Sequence, residues 1–372
     1  MKYQSNNPFR KTLNANVPLL LLLNTMKALK NQIGDSKIHK SEIAFFLCWR
    51  DSNFQALAEF ILNFRALYPH FCYSNEVIYE ECLKLLESEN KNRFKISQVC
   101  GESIDEYIRK MRICGIISLR GSGRFLDFNS FELAKIDYVI HNYSKFQTFS
   151  NKKAYFTYMG SIDERILEIK EIVAEHQESL KLQTLQNFAK QYSKEQIYKE
   201  LKILGSKKSY SNDEVFKFIP EPTRFEFLTA IALKQHLTHL EIMPNYSIDD
   251  EGLPKSHASG NQADIVCKDT KGWAIVEVSL ICGRAQVNNE LIPITRHLNE
   301  MIQTKKIDNM QEIKSFALFI APKIFEDSKR YVKFLAYDEG LDIRNFDILT
   351  FIQALEKINN HTPFSINEIF SN

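Results

Sequence analysis

A multidomain α+β fold follows from three features of this sequence. Apolar residues recur at helical spacing from Val17 to about Leu86. From Glu102 to Phe128 a helix-like run gives way to two strand-like runs. Beyond about Asp213, strands and helices alternate. At 372 residues the chain exceeds one ordinary core. Three parts are expected: a helical module at 1–145, a helical linker at 146–210, and a mixed sheet flanked by helices at 211–372.

The first helix should open at Pro18 and bury Leu19–Leu23. That apolar run is too short for a signal sequence or a membrane span, and no small-residue cleavage site follows it. Polar breaks near Gly34-Asp35-Ser36 and Asp51-Ser52-Asn53 separate further helices. Next comes a helix from Glu102 to Gly115, a strand through Leu119, the turn Gly121-Ser122-Gly123 and a second strand through Phe128, the outline of a winged helix. It carries Arg109, Lys110, Arg112, Arg120 and Arg124 with no acid between the first and the last. Positive charge gathered in this way suits contact with DNA phosphates, although a solvated basic face has the same composition.

From Tyr155 to about Gly205 the chain reads as helix rich in Lys, Glu and Gln, and Ser206–Asp213 is a polar break. A helix from about Pro222 to Leu240 follows. Gln262–Val266 and Ala274–Leu280 then form a β-hairpin about the polar turn Lys268–Gly272. A helical stretch from Gln286 to Thr304, a strand at Phe316–Ala321, a helix after Pro322, a strand near Ile343–Leu349 and a final helix complete the order, which implies a mixed sheet covered on both faces.

Composition excludes disorder, with 44% hydrophobic and 25% charged residues. The 48 Lys+Arg against 46 Asp+Glu leave a net charge of +2, so any polyanion-binding surface must come from local segregation. Seven scattered cysteines, none spaced as C-x-x-C, predict reduced thiols in a cytoplasmic protein, without a zinc site or disulfide framework.

The chemistry should lie on the hairpin. Its two acids, Asp264 and Glu277, come near each other across adjacent strands, a spacing that can hold a hard divalent cation beside a phosphodiester. Hairpin acids also serve to limit edge aggregation. Glu277, however, lies within the apolar run Trp273–Val278, where an unpaired carboxylate would be costly. Glu226 sits between Phe225 and Phe227 near a helix start. Glu290 and His297 would share one side of a continuous helix, with Pro293 between them to kink or restart it.

With these residues in view, the chain resembles the AlwI-type family of type IIS restriction endonucleases and their strand-nicking relatives. The likeness rests on Tyr107–Arg112 with Gly115, Ser118–Gly121, Ala154–Asp163, Phe225-Glu226-Phe227, Ala263–Val266, Glu277–Leu280, and Glu290 with Arg296-His297-Leu298, in matching order over most of the chain. It implies a PD-(D/E)XK nuclease domain at 211–372, preceded by a helical linker and a DNA-contacting module. In this reading Asp264 and Glu277, with the Val278 carbonyl, would hold Mg²⁺. Glu226 would be the acid from the preceding helix, and Glu290 and His297 a further active-site pair. The implied substrate is double-stranded DNA, and a cognate DNA methyltransferase is the implied system partner.

Two departures from the family pattern stand out: Ser279 replaces the expected lysine, and the chain begins close to the later module. It is therefore expected to be a shortened form or one subunit of a split enzyme, acting as a transient homodimer or with a second nuclease or recognition subunit. A DNA-binding regulator with an inactive nuclease domain, and a recombination or repair nuclease of the same fold, are the competing readings.

Overall fold

Pro18 opens the first helix, α1 (Pro18–Ile33), where a missing N–H leaves no bond unmade, and Gly34 closes it at φ 76°, donating its N–H to Lys30 O. The structure is a computed structural model and describes residues 15–144, 146–169, 174–206, 210–269, 272–307, 313–358 and 366–370. The chain divides into two units: Met1–Ala174 with Asp249–Glu251, and Glu175–Ile248 with Gly252–Asn372. That division falls inside the stretch read as a linker.

In the first unit, α1 buries Leu19–Leu23, Met26 and Leu29. β1 (Ile38–His39), α2 (Ile43–Cys48), α3 (Phe54–Leu67) and α4 (Asn75–Leu85) follow. Asn53 and Ser74 start the last two by accepting N–H bonds from Ala56 and Val77. α5 (Ser103–Arg112) buries Ile104, Tyr107, Ile108 and Met111, and Gly115 (φ 73°) turns the chain into β2 (Ile117–Arg120). β2 pairs antiparallel with β3 (Phe125–Phe128) through a turn in which Gly121, Ser122 and Gly123 all have positive φ. β1 joins the outer edge of β3, giving the order β1-β3-β2. At two residues, β1 is too short to show alternation, so the sequence did not reveal it. α6 (Leu133–Asn142), α7 (Lys152–Gly160) and α8 (Arg165–Glu168) follow. Asp163 accepts hydrogen bonds from the Tyr138 and Tyr143 hydroxyls at 2.9 and 2.7 Å, which gives the Ala154–Asp163 segment a structural anchor.

The second unit opens with α9 (Ala174–Gln191) and α10 (Lys194–Ile203), the latter begun by a Ser193/Gln196 capping box. Part of the expected break before Asp213 lies outside the described residues. α11 (Glu221–His236) is buried along nearly all of its length. Three short strands that the sequence did not foreshadow follow: β4 (Glu241–Pro244), β5 (Ser247–Ile248) and β6 (Pro254–Ser256). β4 is an edge strand, where a terminal proline removes no needed donor.

The expected hairpin is β7 (Ile265–Lys268) with β8 (Gly272–Val278), paired Ile265↔Val276 through Lys268↔Trp273; turn residues 270–271 lie outside the described residues. α12 (Ile292–Ile307), β9 (Lys314–Ala321), α13 (Glu326–Asp338), β10 (Ile343–Asp347), α14 (Ile348–Glu356) and α15 (Ile366–Ile369) complete the unit.

The main sheet has the order β10-β9-β8-β7-β4, parallel from β8 to β10 and antiparallel beyond. Alternation assigns its two faces. On one, Ile275, Ala317, Phe319 and Ile343 pack with Leu291 of the turn before α12, with Ile294 and Leu298 of α12 itself, and with Leu335 of α13. On the other, Ala274, Val276, Phe316, Leu318 and Ile320 are buried beneath α11 and α14. A sheet covered on both sides reads as continuous apolar runs, which is why Phe316–Ala321 was legible as a strand. All seven cysteines are free, and among the described residues no helix is long and apolar enough to cross a membrane.

Close approach fixes two glycines, Gly205 against Pro322 and Gly252 against Thr184. Gly252 has φ +82°, and a Cβ there would lie 2.0 Å from Thr184 Oγ1. Gly252→Ala is expected to destabilise the protein by about 1–3 kcal/mol, read as a lower urea midpoint at unchanged slope.

Candidate active site

Strand register brings the hairpin acids together. Asp264 immediately precedes β7 and Glu277 is the penultimate residue of β8, so extending the Ile265↔Val276 pairing by one residue sets them opposite each other on the α12 side. Asp264 Oδ2 accepts the Val278 N–H at 2.8 Å, and the backbone of Asp264 is tied to Asn245, whose N–H donates to Asp264 O at 2.9 Å. Glu277 Oε1 lies 2.8 Å from His297 Nδ1, on α12. The other ring nitrogen, Nε2, is buried and has no hydrogen-bond partner among the described residues.

Glu226 comes from the start of α11. It is 3% exposed, and its Oε2 accepts the Ala258 N–H at 3.1 Å. Glu290 lies in the wide turn Val287–Leu291 that leads into α12, and its Oε1 accepts the Ser279 hydroxyl at 2.8 Å. Pro293 follows the π-turn Val287–Leu291 by two residues, and helical backbone runs unbroken from Ala285 through that turn into α12. Glu290 and His297 therefore reach the acids from one continuous helical stretch, Glu290 from its wide π-turn and His297 from the regular helix that follows.

These side chains sense one another's charge. Burial, then the nearby charge of Glu277, pushes Glu226 up to about 8, against an N–H bond from Ala258 that pulls the other way. Asp264 is held well above the usual carboxylate range by burial and by the charges of Glu277 and Glu226, with Glu290 adding to them. Burial and Glu277 also raise Glu290. The hydrogen bond to Glu277 raises His297 against the opposing effect of burial. So much negative charge in a buried space favours a cation, the condition under which acids keep their ionised form. Among the described residues, no three of His, Cys, Asp and Glu form a ready-made metal cage. The donor set fits Mg²⁺ in another way, because that ion is commonly held by one or two carboxylates and retains several waters.

The expected DNA-contacting residues fare unequally. Arg124 is exposed, and Arg109 and Lys110 lie near Glu106 at 3.6 and 3.2 Å. Two of the five are corrected by the structure. Arg112 is 5% exposed and pairs with Asp249 at 3.4 Å, while Arg120 is engaged by Asp250 at 2.6 Å, Glu251 at 2.9 Å and Asp127 at 3.4 Å. Their partners at 249–251 are more than a hundred residues away in sequence, so the acid-free run from 109 to 124 could not reveal them.

Gln286 was also missed. Fully buried, its amide donates to Ile281 O and Lys323 O and accepts from Phe325 N and Ser328 Oγ, fixing the loop between β8 and the Glu290 turn. A single polar residue in a polar connecting segment gives no periodic signal.

The model of the AlwI restriction endonuclease family matches this chain at residues 1–219 and 168–350. The chain belongs to the AlwI restriction endonuclease family. As a member it is a DNA-cleaving restriction enzyme. A solved structure, the small subunit (R.BspD6I2) of the heterodimeric restriction endonuclease R.BspD6I, is 21% identical, covering 50% of this chain and 84% of that one at a TM-score of 0.35. At that level the likeness bears on neither fold nor function. No curated protein matches the chain.

Proposed function

We propose that this AlwI-family chain is a Mg²⁺-dependent endodeoxyribonuclease of type IIS or nicking character, with a PD-(D/E)XK domain in the second unit. The observation that carries the reading is the convergence of Asp264 and Glu277 at the end of the hairpin, with Glu226 and Glu290 close enough for their charges to be felt. Asp264, Glu277 and the Val278 carbonyl would hold the ion. Bound there, Mg²⁺ supplies Lewis acidity for activating water and neutralises charge developing on the phosphate. Glu226 holds waters at the edge of the site. His297 orients Glu277 through Nδ1, leaving Nε2 for a hydrogen bond to the attacking water or the phosphate. Ser279, in the place of the family's lysine, carries no charge and instead fixes Glu290.

One such site cuts one strand, so double-strand cleavage calls for a second copy or a partner subunit. Titrating the enzyme against supercoiled plasmid tests both points. Cutting should require Mg²⁺ and stop in EDTA; open circles alone indicate nicking, while linear product indicates paired sites. No cutting under any metal would leave the second reading, a DNA-binding regulator, which the uncharged Ser279 favours. His297→Ala is expected to lower the cleavage rate by roughly 10²-fold, checked by single-turnover kinetics.

A further inference from the structure

Two turns with left-handed backbone meet in the first unit. One is Gly121-Ser122-Gly123. The other is Pro69-His70-Phe71, where His70 (φ 63°) and Phe71 (φ 56°) adopt that conformation despite carrying a Cβ. Such backbone persists only where its surroundings over-determine it, and it concentrates at sites of function.

Aromatic rings bind the two turns together. Phe71 stacks on His39 at 5.5 Å and meets Phe125 edge-on at 5.1 Å, while Phe125 meets His39 at 5.2 Å. Phe125 directly follows Arg124 at the end of the glycine turn, and the Lys40 N–H donates to Arg124 O at 2.9 Å, so the glycine turn is tied to the end of β1 beside this cluster. Arg65 lies over the Phe71 ring at 5.3 Å. The nearby Glu42 is fully buried, and its oxygens are engaged by Arg65 at 2.8 and 2.7 Å and by the Tyr73 hydroxyl at 2.8 Å. Its charge is therefore matched inside the cluster. His70 and Arg124 are exposed and Lys40 half-buried at its rim.

We infer that this double-turn face contacts the backbone of duplex DNA, with Lys40, His70 and Arg124 as the phosphate-contacting residues. The inference rests on the proposed nuclease function and places the contact away from Arg112 and Arg120, which are occupied by carboxylates. Lys40 and Arg124, the latter donating its Nε–H to Gly121 O at 3.1 Å, bring positive charge to the two turns, which suits the charged backbone of a duplex. His70 is exposed on its left-handed turn.

The test uses the full chain and a labelled duplex in EDTA, followed by fluorescence anisotropy over a range of salt. Lys40→Gln with Arg124→Gln should weaken binding about 10-fold near 0.1 M salt and flatten the slope of log Kd against log salt by about two. His70→Gly should weaken binding while leaving the melting temperature unchanged or higher, because it relieves the left-handed backbone. Unchanged affinity and slope in a double variant with the parent's circular dichroism overturns the inference. Equal binding of the wild type to polyglutamate also overturns it, since that would mark a site for acidic protein. Plasmid cutting is scored in parallel: if the wild type cuts but the slope is unmoved, this face alone is refuted, whereas a wild type that never cuts refutes the nuclease reading.

Discussion

Replacing Glu277 by alanine is expected to lower Mg²⁺-dependent cleavage by at least about 10³-fold while leaving duplex affinity in EDTA nearly unchanged. The side chain lies at the end of a buried strand, opposite Asp264 and bonded to His297, so its removal deletes one of two carboxylates available to the ion and frees the imidazole. Metal binding can be read separately from catalysis. Mg²⁺ should raise the melting temperature of the wild type, because a ligand that binds only the folded state stabilises it, and this increment should vanish in Glu277→Ala. Wild-type cutting rates in the variant would refute the assignment, and an unchanged magnesium increment would show that the ion binds elsewhere.

Arg112→Ala should destabilise the protein by about 3–5 kcal/mol, a large fraction of the stability of an ordinary domain. Arg112 and Asp249 are both almost fully buried, and removing the cation leaves the Asp249 carboxylate at low dielectric without that opposite charge, although Oδ1 still accepts the Glu251 N–H. Replacing the pair together, as Arg112→Met with Asp249→Leu, should recover much of the loss. Urea denaturation measures both. A single variant as stable as the parent, but with weakened DNA binding, would return Arg112 to the phosphate-contacting role that its sequence context suggested.

Much of the site was legible because local rules govern it. The polar turn between β-branched flanks marked the hairpin, and the carboxylate inside Trp273–Val278 stood out because an apolar strand does not bury a charge without cause. Glu226 was flagged by its place between two phenylalanines, and the structure puts it within electrostatic reach of Glu277. Glu290 and His297 were grouped by helical spacing; the structure brings both to the acids from one continuous helical stretch, with a π-turn at Val287–Leu291 that the spacing did not reveal.

By itself the sequence determined the order of most helices and strands, the hairpin and the identity of the acids, since each depends on neighbours a few residues away. Only the tertiary structure decided which cations are spoken for, that Gln286 braces the site loop, and that β1 joins the small sheet. Those outcomes depend on pairings across tens to hundreds of residues, such as Arg120 with Asp250, and no local pattern of charge or periodicity encodes a partner that arrives from another part of the chain.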